Sequence, residues 1–172
     1  MPVKPVGAAR AGDLSEGSTL RDVRLAALTD SPAAFGSSLE RELGWGEDEW
    51  DERASQGAAS EDRATWFAVD GDSGEVVGIV GAIRPDPAGS DVELVSMWAA
   101  PAARRRGVGR TLVDAVLEWA QEGGAGSVSL WVTRGNDAAE RLYREMGFVE
   151  TGDRQPLPSD SCKDELRMTR SA

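Results

Sequence analysis

The chain has 172 residues, of which 40% are hydrophobic and 28% are charged, and its formal net charge is −11. This length predicts one domain, residues 1–172, that can bury a substantial core. The acidic balance argues against nucleic acid and anionic membranes as partners. The sequence has no apolar run long enough to span a bilayer and no signal-peptide stretch near its start, so we expect a cytoplasmic protein.

Two residue types restrict the chemistry that is available to this protein. A single cysteine, Cys162, rules out an internal disulfide and suits a reducing compartment. Histidine is absent, which removes the most usual general base and metal ligand. Acid–base chemistry must therefore use carboxylates, lysine, Tyr143, Cys162 or water, and we expect no metal ion to take part.

The first third of the chain carries helical signals of unequal strength. A short strand is allowed near residues 6–10, where the signal is weak. Apolar residues at helical spacing predict a helix over 19–29, which Pro32 ends. The segment 33–55 is rich in helix formers but broken by glycines, so it predicts an irregular helix and then another over 47–55. Its aromatic side chains either cap the core or line a substrate pocket.

The middle of the chain predicts three strands and a helix. The strands begin near residues 65, 75 and 91, and the turn-rich DGDSG between the first two is typical of a hairpin loop. We expect the three strands to form an antiparallel meander. A helix over 108–121 places its apolar residues on one face, and a cluster of glycines ends it.

The last third predicts a βαβ unit and a final strand pair. Ser127–Thr133 is a strand that should lie parallel to Asp91–Ala99, because a helix intervenes. Asn136 or Asp137 caps the next helix. Two short strands are expected around a loop, at residues 148–151 and 163–169. This order is that of a mixed α/β domain.

A short basic loop joins the strand 91–99 to the helix 108–121. It contains consecutive arginines and two glycines, namely Arg104, Arg105, Arg106, Gly107 and Gly109. The start of a helix offers unpaired N–H groups and the positive end of the helix dipole, which favour a phosphate. A structural turn with solvated arginines is the alternative, because a lone G-x-G is weak evidence. The coincidence of these features in an acidic protein favours an anionic ligand.

Two motifs lie on either side of the strand 127–133. The first is Arg or Gln, two residues, Gly, one residue, then Gly or Ala, present as RRRGVG over residues 104–109. The second is an asparagine, a helical turn of small residues and LYxxxGF, present as NDAAERLYREMGF over residues 136–148. Both motifs, in this order, resemble those of the GNAT superfamily of acyl-CoA N-acyltransferases. The resemblance covers essentially the whole chain and is clearest over residues 65–150.

The resemblance implies the architecture of the domain. It would be a single GNAT-like α/β domain with a central, mixed, mostly antiparallel sheet flanked by helices. The parallel strands, residues 93–99 and 127–133 here, would splay apart so that the pantetheine arm of acetyl-CoA bonds to their main chains. The backbone of Met97, Trp98 and Ala99 would then meet the pantetheine and the acetyl group.

The same resemblance implies a set of cofactor-binding residues in the basic loop. Backbone N–H groups from about Arg105 to Arg110 would cradle the CoA pyrophosphate, which the main chain can approach at Gly107 and Gly109. Arginine side chains would add charge-assisted bonds to phosphate, with solvent exposure as the alternative for one or two of them. The full set is Arg104, Arg105, Arg106, Gly107, Val108, Gly109 and Arg110, together with Asn136 near the pantetheine.

Two residues are implied to be catalytic. Tyr143 matches the family acid that protonates the departing CoA thiolate, and a core aromatic is the alternative. Glu93 lies where family members often carry a carboxylate that accepts the amine proton, directly or through water, and a surface glutamate is the alternative. Strand alternation places Glu93 on the same face as Met97. Nothing around Cys162 suggests an activated thiolate, so we expect no acyl-enzyme.

The implied reaction is direct transfer of the acetyl group of acetyl-CoA to an amine, with both substrates bound together. The acceptor is a small-molecule or peptide amine, under a roof formed by residues 32–55 and the loop 152–163. Acidic side chains in that roof either favour a cationic acceptor or form a solvated face: Glu40, Glu42, Glu47, Asp48 and Glu49.

Two other functions are considered. A non-catalytic acyl-CoA sensor would keep the basic loop and dispense with Tyr143. A nucleotide-binding α/β domain is disfavoured because the loop has neither a Walker lysine nor the G-x-G-x-x-G spacing. The sequence allows a monomer or a homodimer.

Overall fold

The computed structural model describes residues 8–9, 17–57 and 60–172 of the chain. These residues form a seven-stranded sheet in the order β1-β2-β3-β4-β5-β7-β6. The strands are β1 (Ala8–Ala9), β2 (Arg63–Val69), β3 (Val76–Ile83), β4 (Asp91–Ala99), β5 (Ser127–Thr133), β6 (Val149–Leu157) and β7 (Asp160–Ser171). The pair β4–β5 is parallel and the other neighbouring pairs are antiparallel, so the predicted meander and the predicted parallel pair are confirmed.

Helices cover both faces of the sheet. In the described ranges they are α1 (Gly17–Asp30), α2 (Leu39–Leu43), α3 (Glu47–Gly57), α4 (Val108–Glu122) and α5 (Asp137–Glu145). Of the apolar face predicted for α4, Val108, Leu112 and Val116 are buried, whereas Ala115 and Trp119 are half-buried. A 3₁₀ turn, Pro32–Ala34, connects α1 to α2.

The sheet separates two apolar cores, because successive strand residues point to opposite faces. On β3, Val80 packs into the core beneath α4 and α5, whereas its neighbour Ile79 packs into the core beneath α1 and α3. The main site described below lies where β4 and β5 stop pairing with each other.

The end of the chain differs from the prediction. A loop over 152–163 between two short strands was expected, and this is wrong: β6 and β7 form one long hairpin. β6 is an edge strand whose residues are mostly exposed, and only Leu157 is buried. Because no apolar residue alternates along β6, the sequence lacks the period-2 signal of a half-buried strand. Its Pro156 fits an edge position, where a missing N–H costs little.

Two other predictions concern the ends and the surroundings of the domain. Of the weak strand near residues 6–10, Ala8–Ala9 pairs with β2, and the remainder lies outside the described residues. Among the helices that the structure describes, none is both long and apolar enough to cross a membrane. The cytoplasmic location stays a prediction.

Candidate active site

A cleft opens where the two parallel strands part. β4 pairs with β5 only from Asp91–Leu94 to Ser127–Leu130, and beyond Leu94 the strands diverge. The space between them and the adjoining helices has a volume of about 650 Å³. We call it the main cleft. The splayed pair implied by the sequence is confirmed.

A β-bulge turns β4 away from β5. Ile79 and Gly81 on β3 oppose Trp98 and Val95 on β4, so two β4 residues face the single residue Val80. The first of the two, Ser96, has a φ of +56°, in the left-handed region. A bulge of this kind bends its strand and ends regular pairing. It is therefore the local cause of the cleft.

The backbone after the bulge borders the main cleft. Ala100 donates its N–H to the Val77 carbonyl on β3 at 2.9 Å. Because backbone groups alternate in direction along a strand, Ala99 directs its N–H and C=O away from β3, toward the cleft. The Ala99 carbonyl accepts a hydrogen bond from Arg104 Nε at 3.1 Å.

Gly107 and Gly109 serve different purposes at the start of α4. Gly107 is the N-cap and has a φ of +88°, although a Cβ there would meet nothing within 4 Å. A Cβ on Gly109 would lie 2.9 Å from Leu142 Cδ2 on α5 and 3.3 Å from Met97 Cε on β4. The first glycine is required by backbone conformation and the second by close packing.

The arginines of the loop have separate surroundings. Arg105 lines the main cleft with a φ of +60°, and no carboxylate of residues 17–57 or 60–172 pairs with it. Arg110 also lines the cleft and lies 3.4 Å from the exposed Glu145 carboxylate. Arg106 lies outside the cleft lining, because its guanidinium binds Asp70 at 3.1 Å. Val108, predicted as part of the cofactor set, has its side chain buried in the core.

Asp30, at the end of α1, was missed by the sequence reasoning. Its carboxylate pairs with Arg104 and accepts hydrogen bonds from Trp98 Nε1 at 3.0 Å and Ser31 Oγ at 2.6 Å. Burial alone would raise the pKa of Asp30, but these three hydrogen bonds together hold it below its usual range. The Trp98 side chain packs into the core beneath α1, and Trp98 also lines the main cleft. In the sequence, Asp30 precedes Ser31 and Pro32, a pattern that indicates only a helix end.

Asn136 lies at the rim of the main cleft and caps α5. Its side-chain oxygen accepts the Ala139 N–H at 3.3 Å, and Gly135 N–H donates to Glu140 Oε1 at 3.2 Å. The bond from Ala139 satisfies an N–H group in the first turn of the helix, so the predicted cap is confirmed. The predicted contact of Asn136 with pantetheine stays a prediction.

Tyr143 is both a core residue and part of the cleft wall. Only 4% of it is exposed, and its ring meets the edge of Phe148 with centroids 5.8 Å apart. It also lines the main cleft. Burial raises the pKa of the phenol well above its usual range, so the hydroxyl keeps its proton at neutral pH. A buried, protonated phenol at a cleft wall can act as a proton donor.

Glu93 lies on the opposite face of β4 from Met97, so the prediction that they share a face is wrong. Its neighbours Val92 and Leu94 pack beneath α4, as Met97 does, because the bulge reverses the alternation after Val95.

Glu93 opens into a second cleft of about 430 Å³. The residues lining this cleft are Pro85, Asp86, Gly89, Ser90, Asp91, Glu93, Trp131 and Arg167. Trp131 lines both clefts, so they adjoin each other. Burial raises the pKa of Glu93; Arg167 opposes the shift, while Asp91 and Glu165 add to it. This is the environment of a carboxylate that accepts a proton readily.

The predicted roof is realised only in part. Of its residues, Ala34 lines the main cleft, and Ser159 in the β6–β7 turn donates its hydroxyl to the Phe35 carbonyl at 2.6 Å. Four of the five acidic residues are exposed, in keeping with a solvated face: Glu40, Glu47, Asp48 and Glu49. Glu42 is the exception, because it is fully buried in an ion pair with Arg24. No group of three or more side chains suited to a metal ion occurs within the described part of the chain.

Known proteins of similar sequence and fold agree with this geometry. The sequence model of the acetyltransferase (GNAT) family matches residues 26–148. The chain is 33% identical to the N-alpha-acetyltransferase RimI of Mycobacterium tuberculosis over 152 residues, covering 87% of this chain and 93% of that protein. It is 34% identical to the streptothricin acetyltransferase of Streptomyces lavendulae over 91 residues, 53% of this chain and 47% of that protein.

Solved structures give the same result for the fold. A GNAT-family acetyltransferase from Streptococcus pneumoniae superimposes with a TM-score of 0.73 at 22% identity, covering 95% of this chain and 96% of the other. Nourseothricin acetyltransferase has a TM-score of 0.59 at 30% identity over 64% of this chain and 65% of its own. With a family match across most of its length and a splayed cleft at the basic loop, the chain belongs to the acetyltransferase (GNAT) family and is an acetyl-CoA-dependent N-acyltransferase.

Proposed function

We propose that this protein transfers the acetyl group of acetyl-CoA directly to an amine, with both substrates bound at once. One observation carries the proposal. The main cleft runs between the unpaired ends of β4 and β5, with the N-terminus of α4 along one side and the buried Tyr143 phenol along another. Such a cleft combines an anion site with a proton donor.

The donor fits the groups that border the main cleft. Beyond Leu94 and Leu130 the two strands no longer pair with each other, although β3 and β7 still pair with their other edges. Buried N–H and C=O groups on the edges that face the cleft need hydrogen bonds. The amides of a pantetheine arm would supply them, and Ala99 directs its backbone groups that way. Arg105 and Arg110 supply charge beside the α4 N-terminus for the phosphates. Acetyl-CoA bound there would contribute an activated acetyl group.

Proton transfer is assigned to two side chains of the chain itself. As the amine nitrogen bonds to the acetyl carbon, the carbon–sulfur bond breaks, and Tyr143 gives its proton to the sulfur. Glu93 receives the proton that the amine loses. Because Glu93 lines the second cleft and not the main one, we assign this transfer to an intervening water. Backbone N–H groups between Met97 and Ala99 stabilise negative charge that develops on the carbonyl oxygen.

The acceptor enters from the second cleft, on the face of the sheet that carries Glu93. Trp131 separates the two clefts, so a slender amine at this wall points from one into the other. The lining there has three carboxylates, Asp86, Asp91 and Glu93, against the single cation Arg167. This balance favours a positively charged acceptor, either a peptide N-terminus or a small amine.

The experiment measures free thiol released from acetyl-CoA in the presence of single amines. The panel contains peptides with different first residues, polyamines and streptothricin-class antibiotics, and a no-amine sample gives the rate of hydrolysis. We expect one class to raise thiol release well above hydrolysis, with acetylated product confirmed by mass. CoA binding without turnover of any amine would favour the acyl-CoA sensor instead.

A further inference from the structure

A buried ion pair lies outside both clefts. Arg24 on α1 binds Glu42 on α2 through two hydrogen bonds, Nε to Oε2 at 3.1 Å and Nη2 to Oε1. The two side chains are 3% and 0% exposed, and neither lines a cleft. A buried pair of this kind contributes little net stability, because desolvation offsets the attraction. The Arg24–Glu42 pair therefore needs an explanation other than stability.

The pair has a third partner on the bulge of β4. Arg24 Nη1 donates to Ser96 Oγ at 3.1 Å, across 72 residues of sequence. Ser96 has a φ of +56°, a conformation that is unfavourable for a residue with a Cβ. Such strain persists only where the surroundings impose it. The charge-assisted bond from Arg24 is one such restraint, and the carboxylate of Glu42 keeps the guanidinium aimed at Ser96.

The bulge sets the orientation of the peptide groups that follow Ser96. Ser96 itself lines the main cleft, and it lies between Val95, which still pairs with β3 in register, and residues 97–99, which continue the cleft wall. If Ser96 relaxed to a negative φ, the following peptides would rotate and the cleft wall would shift. A displacement of reacting groups by about 1 Å is enough to lower turnover by roughly a hundredfold.

We propose that Arg24, held by Glu42, is a positioning residue that fixes the Ser96 bulge and thereby the backbone wall of the main cleft. Arg24 touches no substrate and acts through Ser96. The proposal rests on the proposed function, because it assigns the transfer step to that wall. It predicts that loss of the Arg24–Ser96 hydrogen bond lowers turnover. The start of α4, where the phosphates are proposed to bind, should still bind CoA.

The test uses variants that keep the fold. Removing Arg24 alone would leave Glu42 buried and unpaired, so the pair is replaced by apolar residues in Arg24→Met/Glu42→Leu, a change that buried pairs often tolerate. Ser96→Ala removes only the hydroxyl. Arg53→Met is the matched control, since the half-buried Arg53 lies in the same helical layer, 5.0 Å over the Trp45 ring, and makes no hydrogen bond to β4.

Turnover, CoA affinity and hydrogen exchange are measured on each variant, with the thermal midpoint recorded to verify folding. Turnover of the best amine and the CoA dissociation constant are compared first. We expect about a tenfold or greater fall in kcat for Ser96→Ala and for Arg24→Met/Glu42→Leu, with CoA affinity within about twofold. Adding Ser96→Ala to the double variant should cost nothing further, because the contact is already lost. Arg53→Met should match the wild type.

Hydrogen exchange of the Ala100 amide, which bonds to the Val77 carbonyl on β3 after the bulge, is measured next and needs no acceptor. We expect about tenfold faster exchange in Ser96→Ala and in Arg24→Met/Glu42→Leu, and no change in Arg53→Met. Unchanged exchange and unchanged kcat in Arg24→Met/Glu42→Leu would overturn the proposal, as would fully additive effects of the Ser96 and Arg24 changes. If the wild type acetylates no amine, the proposed function fails, and the exchange result still decides whether Arg24 positions the bulge.

Discussion

Replacing Gly107 with valine tests whether the loop backbone holds the CoA phosphates. Gly107 has a φ of +88°, and its Cβ position is empty space, so the change introduces conformational strain without a clash. Holding a residue with a Cβ there costs about 1–2 kcal/mol. The chain can avoid this by rotating to a negative φ, which turns N–H groups at the start of α4 away from the cleft. Losing one charge-assisted hydrogen bond costs about 1.5–3 kcal/mol, which corresponds to roughly 10- to 150-fold weaker CoA binding.

The matched control lies at the other end of the same helix. Gly124 has a φ of +68° and an equally empty Cβ position, but it is remote from the start of α4. Gly107→Val and Gly124→Val should lower the thermal midpoint similarly, by about 2–8 °C, since they introduce the same strain. Calorimetric titration with CoA should detect weaker binding in Gly107→Val alone. Equal CoA affinity in the two variants would refute the backbone cradle.

Three further changes address the side chains of the site. Tyr143→Phe should lower kcat by about 10²–10⁴-fold with CoA affinity nearly unchanged, as measured by thiol release, and full activity would remove the acid role. Arg105→Ala should weaken CoA binding about tenfold, whereas Arg106→Ala, whose parent side chain binds Asp70, should change it little; the reverse order would contradict the assignment. Glu93→Gln should lower kcat/KM and remove the acidic limb of its pH profile, a limb that lies above the ordinary range of glutamate because burial raises the pKa of Glu93. The same variant should raise the thermal midpoint at neutral pH and lose that advantage in acid, because a raised pKa means that the folded state favours the proton-bound form; a lower midpoint at neutral pH would contradict the burial of Glu93.

The parts of the site that the sequence predicted correctly depend on local signals. The N-terminus of α4, the cap at Asn136 and the glycine at position 107 each follow from residues within one helical turn. Helix ends and left-handed turns are set by the chemistry of a few neighbouring residues. The parallel pair β4–β5 followed from the intervening helix, since a crossover connection requires it.

Long-range contacts account for what the sequence did not predict. Glu42 belongs to a run of acidic residues that otherwise faces solvent, and only the fold brings Arg24 beside it. Asp30 resembles an ordinary helix end, yet it joins Trp98 to Arg104 across 68 and 74 residues of sequence. The edge strand β6 has no apolar alternation that the sequence could reveal. It is a strand because it pairs with β7. No pattern within one segment contains these partners.

The bulge at Ser96 connects these two kinds of feature. Alternation along β4 is a correct rule for a regular strand, and it placed Glu93 and Met97 on one face. The additional residue reverses that order, so Glu93, the proposed base, faces the second cleft and Met97 packs near Gly109 on the other face. A regular β4 would continue to pair with β5 and close the cleft. The departure from alternation that defeats the sequence rule is therefore the feature that opens the cleft between β4 and β5, where we propose that the donor binds, and a residue as distant as Arg24 hydrogen-bonds to it.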